Sequence, residues 1–505
     1  MYPCAHDPDR AAVVIAESGE TVSYGELEQR SIQLARFWHH AGLQPGDHVA
    51  ILLGNNPRYF EVVWAALRSG LFYTPINRHL TSAEVAFIVE DCGARSVVTS
   101  LAQTERIDGV AVEFPLMMDG TTAGWTAYEA ALAAQPTEPL ADQPNGHGMF
   151  YSSGTTGRPK GILFPLPDRQ VTDDDPMVIS GGPLGLLDGC VYLLPAPLYH
   201  TSPVVTGSLC HRYGGTVVVM ERFDAAACLD TIERYQVDVA QFVPTMFVRM
   251  LKLPDDVRTR ADLSSLRHVS HAAAPCPVEV KRRMIDWWGP IILEFYAGSE
   301  NVGSTMITSE EWLAHPGSVG LPRFCTAHIC DDDFNDLAVG EIGNVWFDTP
   351  GAAMEYHRDP EKTAENRSPQ GWYTMGDVGH LDEDGYLYLT DRKSFMIISG
   401  GVNIYPQESE NVLIAHDAVM DVAVIGVPND DLGEEAKAVV QLVDPDAASD
   451  SLAADLLAHC GEQLARYKCP RSIDFVDELP RLDTGKLYKR LLRDRYWGER
   501  ESRIV

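Results

Sequence analysis

Positive charge is scarce in this 505-residue chain: 40 lysines and arginines stand against 72 aspartates and glutamates, a formal net charge of −32. Such a surface repels polyanions, which argues against a nucleic-acid partner. Cysteine is sparse as well. Ten are present and no two are spaced Cys-x-x-Cys, so a disulfide scaffold and a zinc site are both set aside and reduced, buried thiols are expected. No apolar run approaches the roughly 20 residues needed to span a bilayer. The opening stretch from Met1 to Arg10 carries acidic side chains and no apolar core, unlike a secretory signal. A cytoplasmic protein with no integral membrane segment, monomeric or homodimeric, is expected. What remains is ordinary globular composition, 45% hydrophobic and 22% charged. At roughly 150 residues per domain, so long a chain needs more than one core.

The first hundred residues alternate helix and strand signals. Ser23 with Glu26 forms a capping box, and Leu27, Leu34 and Trp38 share the face of the helix it opens, closed by Gly42. A turn at Pro45-Gly46-Asp47 leads into an apolar strand from Val49 to Leu53. Thr81 with Glu84 is a second capping box, ended by Gly93 before a strand from Ser96 to Thr99. This alternation predicts α/β layering with largely parallel strands. Residues 165–190 read as an irregular excursion. From about 340 short strands dominate and form a small β unit, and the last hundred or so residues look like a separate α+β domain. The fold expected is α/β: a large N-terminal domain (1–393) of layered α/β subdomains plus the small β unit, and a smaller, mobile α+β C-terminal domain (394–505).

The most informative string is Tyr151-Ser152-Ser153-Gly154-Thr155-Thr156-Gly157-Arg158-Pro159-Lys160-Gly161. Glycines let backbone N–H groups approach phosphate oxygens, hydroxyls donate hydrogen bonds, and Lys160 supplies charge. It is not a Walker loop, because Lys160 sits between Pro159 and Gly161 rather than in Gly-Lys-Ser/Thr.

That string resembles the signature loop of the adenylate-forming enzymes, which include acyl-CoA synthetases, adenylation domains and firefly luciferase. The resemblance recurs in order as far as Lys486. Pro197-Leu198-Tyr199-His200-Thr201 resembles a block near the acyl pocket and nucleotide. Ala272-Ala273-Ala274-Pro275 is similar to the small-residue turn that lies against adenine. Tyr296-Ala297-Gly298-Ser299-Glu300 resembles the block whose aromatic stacks on adenine, whose hydroxyl meets the α-phosphate and whose glutamate binds Mg²⁺; Ser299 stands where Thr is usual. Tyr373-Thr374-Met375-Gly376-Asp377 resembles the block whose aspartate accepts from both ribose hydroxyls, a role suited to a two-oxygen acceptor. Arg392 would contact ribose and phosphate. Ser399, Gly400 and Gly401 fall in the loop that lines the family's pantetheine tunnel, and Gly485-Lys486 in the motif with the catalytic lysine.

The resemblance implies a use of ATP, Mg²⁺ and coenzyme A. Lys160, Glu300, His200 and Lys486 are the expected catalytic residues, with Glu300, and Thr155 as a second candidate, on the metal. Ser152, Ser153, Gly154, Thr155, Thr156 and Gly157 would hold ATP, along with Ala273, Ala274, Pro275, Tyr296, Ala297, Ser299, Asp377 and Arg392. Tyr199, His200, Gln241, Phe242, Ala297 and Gly298 are the acyl-pocket candidates. A carboxylate would attack ATP to give an acyl-adenylate and pyrophosphate. The small domain would then rotate about Ser394, where the family often has Asp or Lys, and CoA thiol would attack the adenylate. Apart from His200 the acyl-pocket set holds no basic side chain, so an apolar acid is expected: fatty, steroid side-chain or aryl. Transfer to a carrier protein or another acceptor uses the same nucleotide motifs, and a non-catalytic nucleotide-binding homologue is the reading from another class.

Overall fold

The computed structural model describes residues 6–152, 159–176, 178–481 and 487–498. The chain forms two compact units, each discontinuous in sequence. The first comprises Met1–Gln241, Arg260–Val269 and Ala353–Ala364, and the second Phe242–Thr259, Ser270–Ala352 and Glu365–Val505.

In the first unit both capping boxes form. Ser23 and Glu26 open the helix Tyr24–His40, and Thr81 and Glu84 open the helix Ser82–Cys92, which ends on Gly93 in the left-handed conformation (φ 67°). Six parallel strands follow in the order Thr126–Ala127, Phe114–Met118, Ala94–Ser100, His48–Leu52, Phe72–Pro75 and His147–Gly148. A second set runs parallel from Val239 and Ala240, through Val191–Leu194 and Thr216–Val219, to Ala11–Ile15. Strands buried on both faces read as continuous apolar runs, as Val217-Val218-Val219 does, and this is why the alternation of helix and strand signals identified a parallel sheet. Leu27, Leu34, Trp38, Tyr59, Phe60 and Trp64 pack into one core with these strands.

The second unit is mostly antiparallel. Ile292–Ala297 pairs with Ser304–Ile307. Thr326–Cys330, Gly343–Asp348, Asp377–Leu381 and Leu387–Arg392 form a four-stranded antiparallel sheet, the small β unit expected beyond 340. Toward the C-terminus the long hairpin Val419–Asn429/Gly433–Leu442 is flanked by Ile397–Ser399/Val402–Ile404 and by Ser472–Val476. The helix Asp450–Gln463 belongs to the same apolar core through Leu456 and Cys460. The segment 165–190 is irregular as expected, with one short helix, Val178–Gly181.

Candidate active site

In the second unit, strand register creates a compact polar constellation. Asp377 opens one strand of an antiparallel pair and Arg392 closes the other, and the two residues lie directly opposite. Tyr296 comes from the end of Ile292–Ala297. Its hydroxyl donates to Asp377 Oδ2 at 2.5 Å, and Arg392 Nε lies 3.4 Å from Asp377 Oδ1. Asp377 is only 7% exposed, so an ionised carboxylate there needs these partners. Burial, reinforced by the adjacent Asp377 charge, pushes the Tyr296 phenol well up and keeps it a donor. Burial pulls the Arg392 guanidinium down, but Asp377, Tyr296 and Glu300 outweigh it and the net shift is upward.

Ala273, Ala274, Pro275, Tyr296, Asp377 and Arg392 share the wall of a cavity of about 480 Å³, with Arg249, Asn411, Arg481 and Lys489 also on it. That volume lies in the range of small-molecule sites. Ala273 holds φ at 74°, a left-handed conformation rare for a residue with a Cβ. Gly298 has a steric reason: a Cβ there would sit 2.6 Å from both Glu300 Oε2 and Met375 Sδ. Among the described residues no cluster of three or more His, Cys, Asp or Glu could hold a metal. Mg²⁺ is commonly held by one or two carboxylates together with substrate phosphate oxygens, a coordination that Glu300 fits without a protein cage.

In the first unit the two ends of the signature string lie on paired antiparallel strands, Phe150–Ser152 against Lys160–Leu163, with Lys160 opposite Ser152. Ser153, Gly154, Thr155, Thr156 and Gly157 lie outside the described residues. Lys160 Nζ donates to Asp359 Oδ2 at 2.7 Å, and Tyr151 Oη to Asp91 Oδ2 at 2.5 Å. Neither carboxylate was identified from sequence. For Asp359 the available signal was its place ahead of Pro360, where the helix Pro360–Glu365 begins.

The acyl-pocket candidates fall in both units. Tyr199 and His200 have ring centroids 4.4 Å apart, and His200 is the N-cap of the helix Thr201–Arg212. Gln241 has both ends of its amide engaged, accepting from Tyr192 Oη at 3.2 Å and donating to Ser202 Oγ at 2.8 Å. Phe242, in the second unit, is fully buried against Phe247 and Trp288. Ala297 is exposed at the strand end.

Ser394 lies in the short 3₁₀ turn Lys393–Phe395, directly after Arg392. Asp391 accepts from its own neighbour, Arg392 N, at 2.7 Å and from Gln407 N at 3.1 Å, which caps the first turn of the helix Pro406–Ile414. Ser399 and Val402 close a two-residue hairpin over Gly400 (φ 57°) and Gly401 (φ 80°). Two consecutive left-handed residues define a type I′ turn, which explains the glycine pair. Ile398 and Val402 on its flanks are 50% and 46% exposed. Lys486 lies outside the described residues. On either side of it, Arg481 bridges Leu487 and makes a two-point ion pair with Asp421, with Nη2 2.6 Å from Oδ1. Among the described residues no helix is long and apolar enough to cross a membrane.

Two family models match the chain: AMP-binding enzyme over residues 3–357, and AMP-binding enzyme C-terminal domain over residues 408–486. A feruloyl-CoA synthase from an Amycolatopsis species is 33% identical, covering 96% of both chains. The fatty acid–[acyl-carrier-protein] ligase ScoC of Streptomyces coeruleorubidus is 30% identical, covering 100% of this chain and 96% of its own. Among solved structures, the anthranilate CoA ligase AuaEII with anthranoyl-AMP superposes with a TM-score of 0.83 at 27% identity, covering 97% of this chain and 94% of the other.

Proposed function

Because the chain belongs to the AMP-binding, adenylate-forming enzyme family and is an AMP-forming acid–thiol ligase, we propose that it joins an apolar monocarboxylic acid to coenzyme A. The single observation that carries the proposal is the Tyr296–Asp377–Arg392 constellation on the wall of the cavity. It offers an aromatic face for a purine, a two-oxygen acceptor for a diol and a guanidinium for phosphate.

In the first half-reaction a carboxylate oxygen bonds to the α-phosphorus of ATP as the bond to the β-phosphate bridge breaks, and pyrophosphate leaves. Lys160 is assigned to the phosphates, Asp377 to the ribose, Arg392 to ribose and phosphate, and Lys486 to the charge that builds on the attacked phosphate. Such transfers depend on positioning and charge neutralisation more than on covalent catalysis. Glu300 would hold Mg²⁺, which supplies charge neutralisation at the phosphate oxygens when bound. In the second half-reaction the thiol sulfur bonds to the acyl carbon as the bond from that carbon to the phosphate oxygen breaks; AMP departs and the thiol proton is lost to water. Rotation about Ser394 would bring the Gly400-Gly401 turn in for this step. Gln241, on the candidate acyl wall, has its amide oxygen and one N–H already bound to Tyr192 and Ser202. The similar proteins named above act on feruloyl, fatty and anthranilate groups, each a carboxylate on a largely apolar body. Apolar pockets discriminate softly, so several acids of related size are expected to serve.

The test is a panel of ferulate-type, benzoate-type, fatty and steroid side-chain acids, with amino acids and dicarboxylates as contrasts. AMP release is followed with and without CoA, and thioesters are identified by mass. Saturable AMP release with apolar acids and a matching acyl-CoA is expected. Preference for amino acids, or turnover only with a carrier protein or an amine as acceptor, overturns the assignment.

A further inference from the structure

The segment from Glu355 to Lys362 straps the paired strands of the signature string at successive positions. Glu355 pairs with Leu163 and Tyr356 with Ile162 in antiparallel register. His357 N donates to Gly161 O at 2.8 Å, and its Nε2 lies 3.0 Å from Asp91 O. Asp91 is also the residue that accepts from the Tyr151 hydroxyl. Gly161 allows this approach, since a Cβ there would lie 2.4 Å from Met149 Cε and 3.3 Å from His357 Cβ. The strap then turns at Arg358, held at φ 55°. A non-glycine residue in that region costs on the order of 1 kcal/mol and persists where its surroundings over-determine it. The turn delivers Asp359, whose two oxygens do different things. Oδ1 accepts from Lys362 N at 2.9 Å, at the start of the helix Pro360–Glu365, and Oδ2 accepts from Lys160 Nζ at 2.7 Å. The Lys160 ammonium, followed by the Lys362 amide, holds the Asp359 carboxyl below its ordinary range, so it stays ionised.

We infer that Asp359 is a positioning residue for Lys160: a carboxylate locked to a helix start, aiming the ammonium of the signature string. This rests on the reading above in which Lys160 binds the phosphates of ATP. An ammonium has three N–H donors. Asp359 engages one and leaves two for phosphate oxygens, and a lysine already tethered loses less side-chain freedom when the nucleotide arrives. The pair is partly solvated, with side chains 19% and 32% exposed. Its value therefore lies in orientation, since an ion pair of that exposure adds little stability.

The informative variant is Asp359→Asn. Asparagine caps a helix start as well as aspartate, but it withdraws the negative charge from Lys160. Asp359→Ala, which loses the cap too, reports the structural contribution separately. Carboxylate-dependent ATP–pyrophosphate exchange and thermal unfolding are measured for wild type, D359N, D359A, Lys160→Ala and the K160A/D359N double variant. For D359N we expect KM for ATP to rise about tenfold, with the melting temperature and KM for the acid unchanged. In the K160A background D359N is expected to have no further effect. A D359N enzyme with wild-type ATP kinetics, an additional loss in the K160A background, or an equal shift in KM for the acid would overturn the inference. K160A exchanging at the wild-type rate would instead defeat the assignment of Lys160 to the phosphates, a separate failure.

Discussion

Ala273 and Asp377 illustrate what single residues contribute. Ala273 keeps φ at 74° on the cavity wall. An L-residue there carries roughly 1–2 kcal/mol of strain, whereas glycine carries none but costs about 0.4–1 kcal/mol more in unfolded-chain entropy. Ala273→Gly is therefore expected to raise stability by about 0.5–1 kcal/mol in denaturant unfolding, and Ala273→Val to lower it. At Asp377 both carboxylate oxygens already have partners, Tyr296 on one and Arg392 on the other. Asp377→Asn has one acceptor oxygen where the wild type has two. We expect its KM for ATP to rise about tenfold or more, and the preference for ATP over 2′-deoxy-ATP to shrink. An unchanged ratio would separate Asp377 from the ribose. Asp377 was legible in the sequence through its motif. Its bond to Tyr296 was not, because the two are 81 positions apart and meet only when their strands are placed.

At the scale of elements, the hairpin Ile397–Ser399/Val402–Ile404 turns on two left-handed glycines. Nothing lies within 4 Å of where a Gly401 Cβ would sit, while φ there is 80°. Backbone conformation is therefore what requires glycine in this structure. A bulky residue would both obstruct a tunnel and strain the turn, so the cleaner comparison is Gly401→Asn against Gly401→Ala. Asparagine tolerates the left-handed region and alanine does not. Gly401→Ala should cost about 1 kcal/mol of stability, with Gly401→Asn closer to wild type. Gly401→Trp should slow thioester formation from preformed acyl-adenylate more than it slows adenylation, and equal loss in both steps would remove the turn from the thiol's path. Helix starts were the most legible elements, since Ser23/Glu26 and Thr81/Glu84 satisfy backbone donors within four residues of sequence. The strap 355–362 was invisible for the opposite reason: its partner strands lie nearly 200 residues upstream, as the separation of 199 between Lys160 and Asp359 shows.

For the molecule as a whole, the charge of −32 sets the background, yet two of the candidate cations are held locally, each within its own unit. Lys160 is paired with Asp359, and Arg392 lies beside Asp377. Global acidity disfavours long polyanions and leaves room for small ones at such points. Histidines shifted by burial contribute to the dependence of stability on pH. His211 is fully buried, accepts from Trp64 Nε1 at 3.2 Å through Nδ1, and has Nε2 3.1 Å from Ala12 O. A proton on Nδ1 would face the Trp64 N–H donor to donor. Burial lowers the His211 pKa to about 4, and burial with the neighbouring His357 lowers His48 to about 4. The unfolded chain binds these protons first, so the stability contribution is complete above about pH 6.5 and is lost as pH falls toward 4. Between pH 7 and pH 5 each histidine should account for about 2 kcal/mol, seen as a falling melting temperature whose slope is reduced by His211→Gln. A slope unchanged in that variant would place the acid sensitivity elsewhere.

The central claim is that this chain forms an acyl-adenylate. Exchange of labelled pyrophosphate into ATP, measured with and without an apolar carboxylic acid and in the absence of CoA, tests it most directly. Exchange that requires the acid, and that falls to background in Lys486→Ala, is predicted. Exchange independent of the acid, or none with any acid while the acid drives release of ADP and phosphate, would contradict it.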